Sequence, residues 1–424
     1  MDSFILHGDI CRPDGGKVLT TENAYAVCVD GLSHGVFEQI PEQYASLPLR
    51  DAAGQLIIPG MVDLHVHAPQ YSFHGLGMDM ELLDWLKAYT FPEEAKYQNL
   101  DYAEKAYGLF VNDLKASATT RACIFATVHR KATELLMRMM EDTGLITYVG
   151  KINMDRDAPD DLREADAYTS AFDTFGWLND IEGKFERTKP ILTPRFLPSC
   201  SDTLLNELRE VLHAYDLPVQ SHLSENPGEV KLVKKLFPGA AFYGAGYDQY
   251  DMFGSAGRTV MAHCIYSTEE EVDRIAQNGV FVAHCPASNM NLSSGIAPVR
   301  KYLTRGIRVG LGSDVAGGES LSVFRAIANA IQVSKLYWRL VDQSSVPLSF
   351  DEAFCMATVG GGEFFGKVGS FGEGYEFDAV VIDDRCLNSV SRRTLHERLE
   401  RAVYRDAEGL ITAKYCRGRK VFGK

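Results

Sequence analysis

The chain has 424 residues, with 43 Lys and Arg against 57 Asp and Glu, and its net charge of -14 argues against a nucleic-acid backbone as partner. Its 46% hydrophobic and 24% charged content is that of a globular protein long enough for one large domain and a smaller one. No apolar run approaches the ~20 residues of a bilayer span, MDSFILHGDI lacks the basic and long apolar regions of a secretory leader, and nine cysteines without a C-x-x-C pair read as reduced, buried thiols, so a cytoplasmic protein away from membranes is expected.

Residues 1–56 read as short strands and turns: FILHGDI, YAVCVDG and GVFEQI alternate apolar and polar, and Asp14-Gly15-Gly16 marks a turn. Residues 57–72, IIPGMVDLHVHAPQYS, follow as an apolar strand ending in His65 and His67. Side chains two apart on a strand share a face, so both imidazoles converge on one point and make half of a site for a divalent transition metal. Residues 80–89 (MELLDWLKAY) have helical spacing, with Thr90-Phe91-Pro92 as the stop. Lying directly after the histidine strand, this helix is placed as a lid.

From there strand-like and helix-like runs alternate. The strands are 57–67, 120–126, 146–152, 190–196, 218–222, 258–264, 280–285 and 308–313, with amphipathic stretches such as LNELREVLHAYD, EEEVDRIAQNG and APVRKYLTRG between them. Eight such units in an α/β chain predict a closed (β/α)8 TIM barrel. An open doubly wound sheet is disfavoured because no Gly-rich phosphate loop follows the first strand. A long helix is expected over 323–341, and beyond Gly366 strands and turns return in GEGYEFDAVVID and in 408–422. The two chain ends, 1–56 and 371–424, are therefore expected to pair into a small β-sandwich beside a catalytic barrel of residues 57–370.

Active sites on such barrels sit at the C-terminal strand ends. Beyond His65 and His67, those ends carry His222, His263, His284 and Asp314, so five of the eight predicted ends bear a metal-ligating type. A catalytic zinc takes three or four protein ligands and keeps a position open. His65, His67, His222 and Asp314 are the expected ligands, with His263 facing the open position and His284 packed under a loop. Glu225, three residues after His222, is placed to move the proton of an attacking water. The plainer reading is a first-turn glutamate favoured by the helix dipole.

The set HVH, HLSE, MAHC and SDVAGG resembles the amidohydrolase superfamily in its single-metal deaminase branch. Longer motifs, HVHAPQYSF, DWL with YTFP, TPRF, QSH, HCP and GLGSDVAGG, are similar to the guanine deaminase family over about residues 58–369. The H-x-E…P-C-x-x-C signature of a different zinc deaminase class is absent. The resemblance implies hydrolysis of guanine to xanthine and ammonia. It also implies His65, His67, His222 and Asp314 on one zinc per chain, Glu225 as proton shuttle and His263 steadying the attacked centre. Gln70, Arg195 and Phe196 would hold the purine together with His222 and Glu225, and the usual assembly is a homodimer. His and carboxylate ligands also accommodate iron or manganese. In two-metal relatives a carboxylated lysine closes the fourth strand, whereas Lys151 falls on the third, which favours one ion. One departure is the run SATTRA at 117–122, where relatives commonly carry Gly-Thr-Thr-Thr. Alternatives are a deaminase of a pterin, triazine or oxidised guanine, a two-metal amidase, and a non-catalytic scaffold, which intact ligand positions disfavour.

Overall fold

A computed structural model describes residues 2–423. Strands β1 (Phe4–Asp14), β2 (Lys17–Val29), β3 (Leu32–Phe37) and β4 (Leu49–Pro59) come first, and β1 turns into β2 through Gly15-Gly16. The barrel strands are β5 (Met61–His67), β6 (Thr119–Phe125), β7 (Ile146–Gly150), β8 (Ile152–Asn153), β9 (Thr188–Pro190), β10 (Thr193–Pro194), β11 (Val219–Leu223), β12 (Thr259–His263), β13 (Phe281–His284) and β14 (Val309–Leu311). They form two parallel arcs, β5-β6-β7-β9 and β11-β12-β13-β14. The arcs meet at one seam where β10 pairs with β8 and Leu192 bridges Val219. At the other seam Asp314 N donates to His65 O (2.9 Å) and His67 N to Val315 O (3.1 Å). The ring is therefore closed as expected, although the third and fourth predicted strands are each broken in two.

The last strands, β15 (Ala379–Ile382), β16 (Ile411–Cys416) and β17 (Arg419–Gly423), join β1–β4 in one seven-stranded sheet of order β17-β16-β15-β4-β1-β2-β3. The two chain ends thus pair, through a continuous sheet that curls. Phe4 on β1 and Tyr415 on β16 stand three strand positions apart, about 14 Å on a flat sheet, yet their ring centroids are 5.1 Å apart.

Three details differ from the sequence reading. The apolar run 57–67 is two strands, because the chain passes from sheet to barrel at Gly60, where a Cβ would meet Thr120 Oγ1 at 2.2 Å and Asp378 Cβ at 2.8 Å. The lid helix does not stop at Pro92. Helical backbone runs Leu82–Trp85, widens over Leu86–Thr90, and restarts as Phe91–Glu94. The wide turn lets Pro92 fall in a first turn, where its missing N–H is not needed. Finally, a helix, Leu395–Arg405, stands in the second chain end, which reads as strands and turns alone. Its signal was the capping box of Thr394 and Glu397, and it buries Leu395, Leu399, Ala402 and Val403. The long helix runs Val323–Leu340, close to expectation.

The SATTRA departure has a partner in the end sheet. Buried Arg121 on β6 donates to Asp378 Oδ2 and Glu376 Oε2, each at 2.7 Å, and so ties the barrel to the segment entering β15.

Candidate metal and active site

His65 and His67 leave β5 with their rings on one face, and the ends of β11 and β14 bring His222 and Asp314 to the same point. The distances are short: His65 Nε2 to His67 Nε2 3.2 Å, His67 Nε2 to His222 Nε2 3.3 Å, and Asp314 Oδ1 to the first two at 3.2 and 3.4 Å. Each ring nitrogen carries at most one hydrogen, so protons alone cannot make all four contacts favourable. Ligands about 2.0–2.1 Å from a tetrahedral ion lie about 3.3 Å from one another, which is the spacing found. These residues therefore fit a bound divalent ion.

Their electrostatics fit as well. Burial, then the neighbouring imidazoles, hold His67 and His222 well below the ordinary histidine range, so both are neutral and keep a lone pair. His222 Nδ1 donates to the Arg195 carbonyl at 2.6 Å, which aims Nε2 at the cluster. Burial opposes charge on Asp314, but the charge of and hydrogen bond from His65, above all, outweigh it and keep the carboxylate ionised.

Several backbone devices hold the rim. Asp63, buried inside β5, accepts from His65 N (3.2 Å), Ser313 N (3.0 Å) and Ser313 Oγ (2.5 Å). Gly312 admits the close pass of β14, since a Cβ there would meet His65 Cβ at 2.9 Å. His263 (φ 72°) and Asp314 (φ 48°) take left-handed backbone, a strain of about 1–3 kcal/mol each that turns their side chains inward.

His263 stands on the open side. Its Nδ1 pairs with Asn289 Oδ1 at 2.8 Å, leaving Nε2 without a hydrogen bond among the described residues, 3.5 Å from Glu225 Oε2 and 3.7 Å from Asp314 Oδ2. Glu225 is fully enclosed, and burial, then the charge of Asp314, push its carboxyl up to about 8. A carboxyl so placed holds and releases a proton near neutral pH. Ser294 Oγ donates to it at 3.3 Å, and Glu229 accepts from its backbone N–H at 3.0 Å.

A cleft opens over these groups, roofed by Leu82, Trp85 and Leu86 of the lid turns and walled by Gln70, Arg195 and Phe196. The lid expected from sequence is thus in place. Two residues of the site went unnoticed in sequence. Asn289 lies in the helix after the HCP motif. Glu94, buried, receives Gln70 Nε2 at 2.9 Å and Arg195 Nη1 at 2.5 Å, and reaches the wall because the helix runs on past Pro92.

The remaining candidates lie apart. His284 is buried, as expected, with neither ring nitrogen hydrogen-bonded among the described residues. Lys151 Nζ is taken by Glu164 Oε1 at 2.5 Å and the Ile152 carbonyl at 3.2 Å, which occupies the group that a bridging role would require.

Residues 56–420 match the amidohydrolase family, a span that takes in every group of this site. The chain belongs to the amidohydrolase family. Among curated relatives, this amidohydrolase is 38% identical to the guanine deaminase of Dictyostelium discoideum over 379 residues, 88% of this chain and 83% of that one. It is 40% identical to the human guanine deaminase over 341 residues, 79% of this chain and 74% of that one. Among solved structures it superposes on a guanine deaminase from C. acetobutylicum, holding guanine in its active site, with a TM-score of 0.96 and 46% identity, over 99% of this chain and 100% of that one. No described helix is long and apolar enough to cross a membrane.

Proposed function

We infer that this amidohydrolase is a guanine deaminase, hydrolysing guanine to xanthine and ammonia. The observation that carries the reading is its likeness, at 46% identity over nearly the whole chain, to a guanine deaminase with guanine bound, at a TM-score of 0.96. The groups of the cleft suit that reaction. Zinc is the ion proposed for His65, His67, His222 and Asp314, one per chain, a set that would also accept iron or manganese. Such an ion supplies a water of pKa near 7 and positive charge for the developing oxyanion.

The chain's own groups do the rest. Arg195 donates to the O6 carbonyl of the base, Gln70 offers both a donor and an acceptor along its edge, and Phe196 gives apolar contact beside His222. Glu225 accepts a proton from the attacking water as its oxygen bonds to C2, and passes that proton to N3. His263 Nε2 hydrogen-bonds the attacking oxygen, its ring held by Asn289. The added oxygen then gives up its remaining proton, which Glu225 passes to the amino group, the C2–N bond breaks as the C2 carbonyl forms, and ammonia leaves. Leu82, Trp85 and Leu86 exclude bulk water. A cytoplasmic location is proposed from the nine cysteines without a C-x-x-C pair, and a homodimer from what is usual in the family the sequence resembles.

The test is ultraviolet-monitored conversion of guanine by purified protein, with metal quantified on the same sample. Xanthine and ammonia with about one ion per chain are expected. A full complement of metal without guanine turnover would retain the family and reject the substrate.

A further inference from the structure

Behind the wall of the cleft lies a carboxylate that the reaction does not use. Glu94 is 1% exposed, yet it stands between the two side chains that meet the base. Its Oε1 accepts from Gln70 Nε2 at 2.9 Å and its Oε2 from Arg195 Nη1 at 2.5 Å. On the other side of Gln70, the backbone N–H of Ala316 donates to Gln70 Oε1 at 3.2 Å. An ionised carboxylate only accepts and a backbone N–H only donates. Together they permit one orientation of the Gln70 amide. That orientation leaves one amide N–H and one oxygen lone pair for a ligand, in fixed places.

Arg195 is constrained in the same way. Among the described residues its guanidinium has no hydrogen-bond partner other than Glu94, and its carbon lies 5.3 Å from the centre of the Phe91 ring. The carboxylate balances its charge and holds Nη1, and the other guanidinium N–H groups belong to a side chain that lines the cleft. A buried donor that is paired only when the ligand offers an acceptor rejects ligands that lack one.

Resting on the guanine reading above, we propose that Glu94 is the positioning residue that sets substrate choice. It locks the Gln70 amide and aims Arg195, and thereby selects a purine carrying a carbonyl at C6 over one carrying hydrogen there. The proton transfers do not pass through it.

The experiment compares guanine with 2-aminopurine, which keeps the 2-amino group and lacks O6. It uses the metal-loaded wild type and Glu94→Gln. 2-Aminopurine is read as KM if it is turned over, and as Ki against guanine if it is not. Wild type should bind guanine far more tightly. In Glu94→Gln the guanine KM should rise by about 10–100-fold, the expected loss for hydrogen bonds to a charged group. The constant for 2-aminopurine, a base that lacks only the contact of Arg195 to O6, should move less than the guanine KM, and metal per chain should not change. Should Glu94→Gln not accumulate as folded protein, Glu94→Asp serves instead, with the charge kept one methylene short, and should shift the same ratio by about tenfold. An unchanged ratio between the two bases overturns the proposal, as does an equal loss for both bases or a loss of metal, either of which marks a merely structural glutamate. A wild type without guanine turnover would sink the function reading instead, and so is distinguishable from failure of the role given to Glu94.

Discussion

The two sides of the cleft are built by different means. On the metal side, the geometry comes from main chain: strand periodicity pairs His65 with His67, and parallel strand ends deliver His222 and Asp314 to distances of 3.2–3.4 Å. On the base side, the geometry comes from side chains. Gln70, Glu94 and Arg195 arrive from three distant segments and are held by charge-assisted hydrogen bonds to one carboxylate. A ring of packed strands is rigid, so the metal side is insensitive to which base is bound. A hydrogen-bonded wall reads donors and acceptors, which is why the role proposed for Glu94 puts selectivity there.

If that division is right, metal-side variants act on every substrate alike. The largest effect is expected for His67→Ala, which removes the ligand that touches all three others. Bound metal should fall to substoichiometric levels and turnover of guanine, and of 2-aminopurine where the wild type turns it over, should become unmeasurable, checked by metal analysis beside rate assays. Selective loss of one base in this variant would break the comparison. Next comes Glu225→Gln, expected to keep its metal and to lose about 10²–10⁴ in kcat, with little change in guanine KM. Near-normal turnover would remove Glu225 from the proton path.

The smallest effect concerns stability. Burial raises the Glu225 carboxyl from 4.5 to about 8. Across that window the folded chain holds a proton that the unfolded chain has released, so this group's contribution to stability falls as pH rises from about 4.5 to about 8. Metal-stripped Glu225→Gln lacks that loss. Its melting temperature relative to stripped wild type should climb across the window by several degrees, read by calorimetry. A pH-independent difference would place the Glu225 carboxyl in a better solvated setting than the cleft provides.

What was legible in sequence follows the same division. Strand ends are local, so His65, His67, His222, His263 and Asp314 could be placed from spacing and the alternation of elements, and Glu225 from its distance to His222. The same logic set His284 and Lys151 aside. Elements that depend on a partner far along the chain were harder. Residues 57–67 read as one strand because nothing local marks the crossing at Gly60, where only Thr120 and Asp378 forbid a side chain. Leu395–Arg405 carried a readable cap, but its amphipathic face is justified by the sheet and barrel it packs between. Glu94 lay behind a proline that ordinarily ends a helix.

By itself, the sequence determined the barrel, the set of residues proposed to hold the ion and to move the proton, and the pairing of the chain ends, because each follows from periodicity within a single element or from the order of elements. Only the tertiary structure decided how Arg121 finds Glu376 and Asp378, how Asn289 holds His263, and how Glu94 joins Gln70 to Arg195. Those are contacts between segments 24–257 residues apart. A buried charge or amide is satisfied by whichever group the fold brings within about 3 Å, and that partner is not encoded in the residues beside it.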